Sequence, residues 1–213
     1  MRSAATQEPV FPKWHWVTER GLQVETGEQT LIRYEWLLAR ALPEVEAIIP
    51  ADESLLIVLK PGTSVSASLR ALLAAPLTDA SLNVGRLHEI TVRYGGEAGP
   101  DLEALAERAG LRSPEWIAQH AAVEYRVEFL GFQPGFPYLS GLPEPLWAPR
   151  RDQPRVRVPA GSLAIGGRYT GIYPGEGPGG WQIVGHTDAV LFDPARGSPS
   201  LFSPGDRLRF VAT

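Results

Sequence analysis

The chain has 213 residues, 44% of them hydrophobic, a formal charge of −4 and no cysteine. That length suits one large domain or two small ones, with enough apolar residues for a sizeable core. The lack of cysteine excludes disulfides, thiolate metal sites and a cysteine nucleophile, and the mild negative charge argues against nucleic acid as a main partner.

The histidines, at 15, 88, 120 and 186, are too scattered to give a metal-ligand spacing, so no metal is expected. The opening MRSAATQEPVFPKW lacks the apolar stretch of a signal peptide. No apolar run nears the ~20 residues of a membrane span. A soluble, cytoplasmic protein without membrane attachment is the expectation.

Trp14–Val17 and Leu22–Glu25 read as two short strands around an Arg20-Gly21 turn. His15 reads as an exposed strand position. After Thr30, Leu31, Tyr34, Leu38 and Leu42 recur at helical spacing, and Pro43 ends the pattern. Val45–Ile49 and Leu55–Leu59 read as strands, the second apolar throughout and therefore buried. Val65, Leu69, Leu72 and Leu73 mark a second amphipathic helix, stopped by Pro76. The order ββαββα predicts a small α+β domain with helices on one face of a sheet.

The boundary is placed around Asn83-Val84-Gly85, giving domains 1–85 and 86–213. Arg86–Tyr94 alternates, with His88, Ile90, Val92 and Tyr94 on one face. Pro100 and Asp101 suit a helix start, and Gly110 suits its end. Ser113 is expected to cap a further helix with Pro114 as its first residue; it carries Trp116, Ile117 and His120. Tyr125, Val127 and Phe129 alternate as a strand. Short strands are expected again at Gln182–Gly185, Ala189–Phe192 and Arg207–Val211. Short strands punctuated by Gly/Pro turns predict a closed or nearly closed β-barrel, with the helices of residues 100–120 outside it.

Residues 128–181 crowd prolines and glycines together with recurring aromatics, as an ordered cavity wall would. Tyr138, Tyr173 and Trp181 combine apolar faces with polar tips and could line a small-molecule pocket or fill core. Arg150, Arg151, Arg155 and Arg157 form a cluster able to hold a carboxylate or phosphate, or a solvated edge. Arg157 leads into Val158-Pro159-Ala160-Gly161 and is the first choice of cation. His120 could serve as a base or be a satisfied structural histidine. Gly131, Phe132, Pro134, Gly135, Phe136, Pro159, Gly161, Gly179 and Gly180 would shape the loops around such a pocket, with Gly131–Tyr138 and Tyr173–Trp181 close in space. Pro174–Gly180 is not a phosphate loop: no Gly-Lys-Ser/Thr follows, and Trp181 starts a strand-like segment. Ser140 and Ser162 lack the frame of a nucleophile elbow, so no catalytic residue is identified.

Four segments carry a resemblance: VRYGGEAGPDLEALAERAGL, EFLGFQPGFPYLSGLP, RVRVPAGSLAIGGRYTGIYPGEGPGGWQIVGHT and LFDPARGSPSLFSPGDRLRFV. They are similar to the allophanate hydrolase subunit 1 family, which includes the B subunit of bacterial 5-oxoprolinase and the kinase inhibitor KipI. The similarity covers residues 86–213 and extends more weakly over 14–85. It implies a small α+β domain followed by a cyclophilin-like β-barrel, related to the carboxyltransferase part of urea carboxylase. It also implies a hydrolase complex in which the partners are the KipA-like C subunit and the A subunit of 5-oxoprolinase, opening 5-oxoproline to L-glutamate with ATP. The ATP would be used by the complex, since this chain has no recognisable nucleotide motif. The resemblance carries no isomerase activity with the barrel. The other role in the family is regulatory: binding and inhibiting a sensor histidine kinase.

Overall fold

A computed structural model of the chain describes residues 13–77 and 85–213. The leader reading therefore lies outside the described residues up to residue 12, as do Asn83 and Val84 of the expected boundary. The chain divides into two compact units, Met1–Asn83 and Val84–Thr213.

In the first unit, β1 (Trp14–Trp16), β2 (Gly21–Glu25), α1 (Thr30–Leu38), β3 (Val45–Ala51), β4 (Ser54–Leu59) and α2 (Ala67–Ala74) follow in that order. The strands form one antiparallel sheet, ordered β1-β2-β4-β3. Apolar β4 is central: Leu55, Ile57 and Leu59 are buried with Leu22, Val24, Leu37, Leu69 and Leu73. Pro50 sits within β3 because β3 is an edge strand, where a missing N–H costs no ladder bond. His15 is exposed on β1.

The helices end for identifiable reasons. α1 stops at Leu38, short of the expected Leu42, because Ala41 turns into the left-handed region at φ 43°. Leu42 still packs against the core from outside the helix. α2 begins at Ser66, whose hydroxyl accepts the Leu69 N–H at 3.0 Å. At its other end buried Arg33 donates to the carbonyls of Leu72, Leu73 and Ala75 at 3.1, 3.2 and 2.9 Å. A guanidinium thus meets the negative pole of α2 and donates to carbonyls at its C-terminal end.

The second unit runs β5 (Leu87–Tyr94), α3 (Leu102–Arg108), α4 (Ser113–Ala121), β6 (Glu124–Leu130), β7 (Pro137–Ser140), β8 (Arg155–Val158), β9 (Ser162–Gly166), β10 (Tyr169–Ile172), β11 (Gly177–Gly179), β12 (Gln182–His186) and β13 (Arg207–Ala212). Seven strands close a barrel in the order β10-β7-β6-β13-β5-β12-β9, while β8 and β11 pair as a separate ribbon. β5 keeps the alternation read from sequence: His88, Ile90 and Val92 are buried; Glu89, Thr91 and Arg93 are exposed. β13 lies between β5, to which it is parallel, and β6, to which it is antiparallel.

Two expectations are corrected. Ala189–Phe192 is no regular strand; Phe192 makes only an isolated bridge to Ser200. The neighbouring Pro194 and Pro199 have no N–H with which to extend a ladder. α4 is flanked by Arg112, not Ser113: Glu115 reaches back to accept the Arg112 N–H at 3.0 Å, which fixes the cap one residue earlier. α3 ends as expected. Gly110 takes φ 69°, its N–H donates to Glu107, and the Leu111 N–H donates to Ala106. Leu102, Leu105 and Trp116 from α3 and α4 join Val92, Tyr125 and Phe210 in the main core of this unit.

Candidate functional site

A second, smaller apolar cluster lies apart from that core. It gathers Phe129, Phe136, Val158, Ala164, Tyr169, Tyr173, Trp181 and Ile183, with Tyr138 packed against it. Its rings meet edge to face: Phe136 and Trp181 at 5.3 Å, Phe136 and Tyr173 at 5.1 Å, Tyr138 and Trp181 at 5.5 Å. They border a cavity of about 180 Å³, whose walls are Phe132, Phe136, Tyr138, Tyr173 and Trp181, with Arg150, Arg151, Pro154, Gly179 and Gly180.

The local sequence explains this arrangement. Between β6 and β7 the chain turns back tightly, with the Phe136 N–H donating to Gln133 and the Gly131 N–H to Phe136. The turn puts Phe132 at φ 66°, a conformation uncommon for a side-chain-bearing residue, and leaves it 63% exposed at the rim. On the opposite wall, the Trp181 ring packs directly on Gly166. A Cβ there would sit 2.3 Å from the indole, so only glycine admits the ring.

The polar end is built on Asp101, which is 9% exposed. Oδ2 accepts the Ile183 N–H at 2.6 Å; Oδ1 faces Arg155 Nη2 at 2.8 Å and Arg151 Nη1 at 3.2 Å. Arg151 is fixed again by its N–H donating to the Gly180 carbonyl at 2.7 Å. Arg150 is exposed, with its guanidinium carbon 5.9 Å from the Trp181 ring centre. Burial pushes the Tyr173 phenol up, opposed by a backbone hydrogen bond from Trp181 and by the nearby Arg150 charge. Tyr173 is therefore a neutral hydroxyl in the wall.

Tyr138, Tyr173, Trp181, Phe132, Phe136, Gly179 and Gly180 thus line one cavity, which brings the two aromatic runs together. Arg157 does not line it. Its guanidinium is 75% exposed and pairs with Glu176 at 2.7 Å. Pro134 borders a neighbouring cavity with Gln133, Pro174, Gly175, Glu176 and Phe192. Gly135 packs its backbone on Phe192. Gly161 ties Tyr173 to Thr187 through backbone bonds, with Pro159 just before it. Gly177–Gly179 is strand β11, so the Pro174–Gly180 run opens no helix.

His120 lies in the barrel core, fully buried and stacked on Trp116 at 5.1 Å. Thr170 donates its hydroxyl proton to the Ala164 carbonyl, so its Oγ1 accepts from His120 Nε2 at 3.2 Å. Nδ1 then accepts from the Tyr94 hydroxyl at 2.9 Å. Desolvation lowers the imidazole from 6.5 to about 3, which keeps it neutral. It bridges α4 to β5 and β10 and has no part in the cavity wall.

The sequence reading missed Asp101 as the partner that holds the lining residue Arg151, and preferred Arg157 to Arg150. Asp101 is 50 and 54 residues from its arginine partners, and no local pattern joins them. Among the described residues no group of three or more histidines and acids gathers as a metal site, and no helix is long and apolar enough to cross a membrane.

The model of the carboxyltransferase domain, subdomains C and D, matches residues 13–202. The chain belongs to this family. Similar proteins include the 5-oxoprolinase B subunit of Escherichia coli O157:H7, 47% identical over 181 residues and 83% of each chain. The 5-oxoprolinase B subunit of Bacillus subtilis is 45% identical over 151 residues, 71% of this chain and 62% of that one. The crystal structure of TTHA0988 superposes with a TM-score of 0.76 at 37% identity. It covers 91% of this chain, which spans only 40% of the TTHA0988 chain.

Proposed function

We propose that this chain is the B subunit of a 5-oxoprolinase complex, opening 5-oxo-L-proline to L-glutamate with ATP beside the A and C subunits. The observation that supports it is the small aromatic cavity, on a chain whose relatives bear that name. The reaction breaks the lactam C–N bond, adds the oxygen of water to the carbonyl carbon, and leaves a protonated amine. A lactam is a flat amide, and its faces can pack against the aromatic cavity walls of Phe136, Tyr138 and Trp181. The neutral Tyr173 hydroxyl offers it a hydrogen bond.

The size of this cavity favours a small ring over a nucleotide as its occupant. At about 180 Å³ the cavity is smaller than the ~300–1,000 Å³ typical of drug-sized ligands, so it suits a small ring and not a nucleotide. Its walls supply rings, guanidinium groups and a phenol whose proton is held tightly. On this proposal the chain binds and orients, and the partner chains supply the ATP chemistry. The 40% share of TTHA0988 supports a unit that works against further protein. A cytoplasmic setting follows from the need for ATP.

The test is reconstitution. ADP release dependent on 5-oxoproline should need this chain together with the A and C subunits, and none should come from this chain alone. Turnover by the other two that is indifferent to omission of this chain refutes the proposal.

A further inference from the structure

We propose that the mouth of the aromatic cavity is a seat for a carboxylate carried on a flat ring, gripped by Arg150 and Arg151 and positioned by Asp101. This rests on the 5-oxoprolinase reading and adds which end of the ligand the chain holds.

Two guanidinium groups, of Arg151 and Arg155, meet on one buried carboxylate, and Arg150 stands at the cavity edge beside them in sequence. Asp101 commits one oxygen to the Ile183 N–H and the other to Arg151 and Arg155. Both oxygens are engaged, so it positions the arginines instead of meeting a ligand. Its single charge leaves the cluster cationic. Arg150 has no ion pair among the described residues; its guanidinium lies toward the Trp181 ring at the cavity edge. An arginine parked near an aromatic face keeps its fork of donors available for a planar anion.

The arrangement selects by shape as well as charge. The apolar walls are rings, and a bare inorganic anion would leave them uncovered. A ring bearing one carboxylate satisfies both ends at once: ring among Phe136, Tyr138 and Trp181, anion at Arg150 and Arg151.

The experiment is calorimetric titration of the purified full chain with 5-oxo-L-proline, its neutral carboxamide and inorganic phosphate. The carboxylate should saturate, the carboxamide should bind at least tenfold more weakly, and phosphate should not displace the ring. Arg150→Ala should lose at least tenfold in affinity; Arg150 is exposed and has no ion pair among the described residues, so the fold stands. Arg157→Ala, outside the cavity, should bind as the wild type does. Asp101→Asn should weaken binding, with Asp101→Glu recovering part of it. Equal binding of acid and carboxamide, wild-type affinity in Arg150→Ala, no binding by the chain, or displacement by phosphate overturns the seat. The two readings fail separately. If the assembled complex shows no 5-oxoproline-dependent ATP hydrolysis while the titrations hold, the function falls and the seat stands. If turnover is present but indifferent to Arg150→Ala, the seat falls and the function stands.

Discussion

His120 makes the barrel unit sensitive to acid, by an amount the structure allows one to work out. The folded imidazole titrates at about 3, against 6.5 for an unperturbed histidine, because burial disfavours its charged form. Between these values the unfolded chain binds a proton that the folded chain refuses, so stability falls as pH drops. Above pH 6.5 the effect vanishes. At pH 5 the unfolded state has gained about 1.5 units of pH, worth about 2 kcal/mol; the ceiling near pH 3 is about 5 kcal/mol. The assay is urea unfolding at pH 7.5 and pH 5.0 for wild type and His120→Gln, a side chain with both a donor and an acceptor for Thr170 and Tyr94. The variant should be weaker at pH 7.5 but should lose about 2 kcal/mol less on acidification. Parallel losses would refute the account, because every other titrating group is shared.

Two further outcomes follow from single contacts. Gly166→Ala puts a Cβ 2.3 Å from the Trp181 indole, which is pinned against Phe136 and Tyr138 and has nowhere to go. Overpacking of this kind should cost about 1–3 kcal/mol and close the cavity, lowering the melting temperature and ligand affinity together; an unchanged melting temperature would contradict it. Arg33→Ala should destabilise the first unit by about 2–3 kcal/mol, since three carbonyls lose a charged donor. All three bonds come from one nitrogen, so Arg33→Lys should keep more than half of that stability in a denaturation series.

Much of the fold was legible because it is periodic. β5 alternates, α2 repeats every three or four residues, and Leu55–Leu59 of β4 is apolar throughout; each pattern maps onto a buried face. The aromatics of residues 128–181 betrayed a cavity because Pro and Gly had removed any regular element that could otherwise account for them. The polar wall was illegible for the opposite reason. Arg-Val-Arg-Val in β8 looks like a strand with one cationic face, yet β8 pairs only with β11 across an irregular register. Arg155 turns inward to Asp101, Arg157 goes out to Glu176, and Val156 stands 91% exposed. Alternation predicts faces only where a sheet defines them. Asp101 read as a helix-start residue, which it is by position, but its side chain goes to β12 and two arginines.

The place of β13 in the barrel bears on how the protein is made. This strand is the last of the unit to leave the ribosome, yet it fills the gap between β5 and β6, and the Arg86–Asp206 bond beside it joins residues 120 apart. Until Arg207–Ala212 emerges, β5 and β6 each wait with an unpaired edge. Nascent chains stalled before that point should therefore present two sticky strand edges and depend on chaperones to keep them apart.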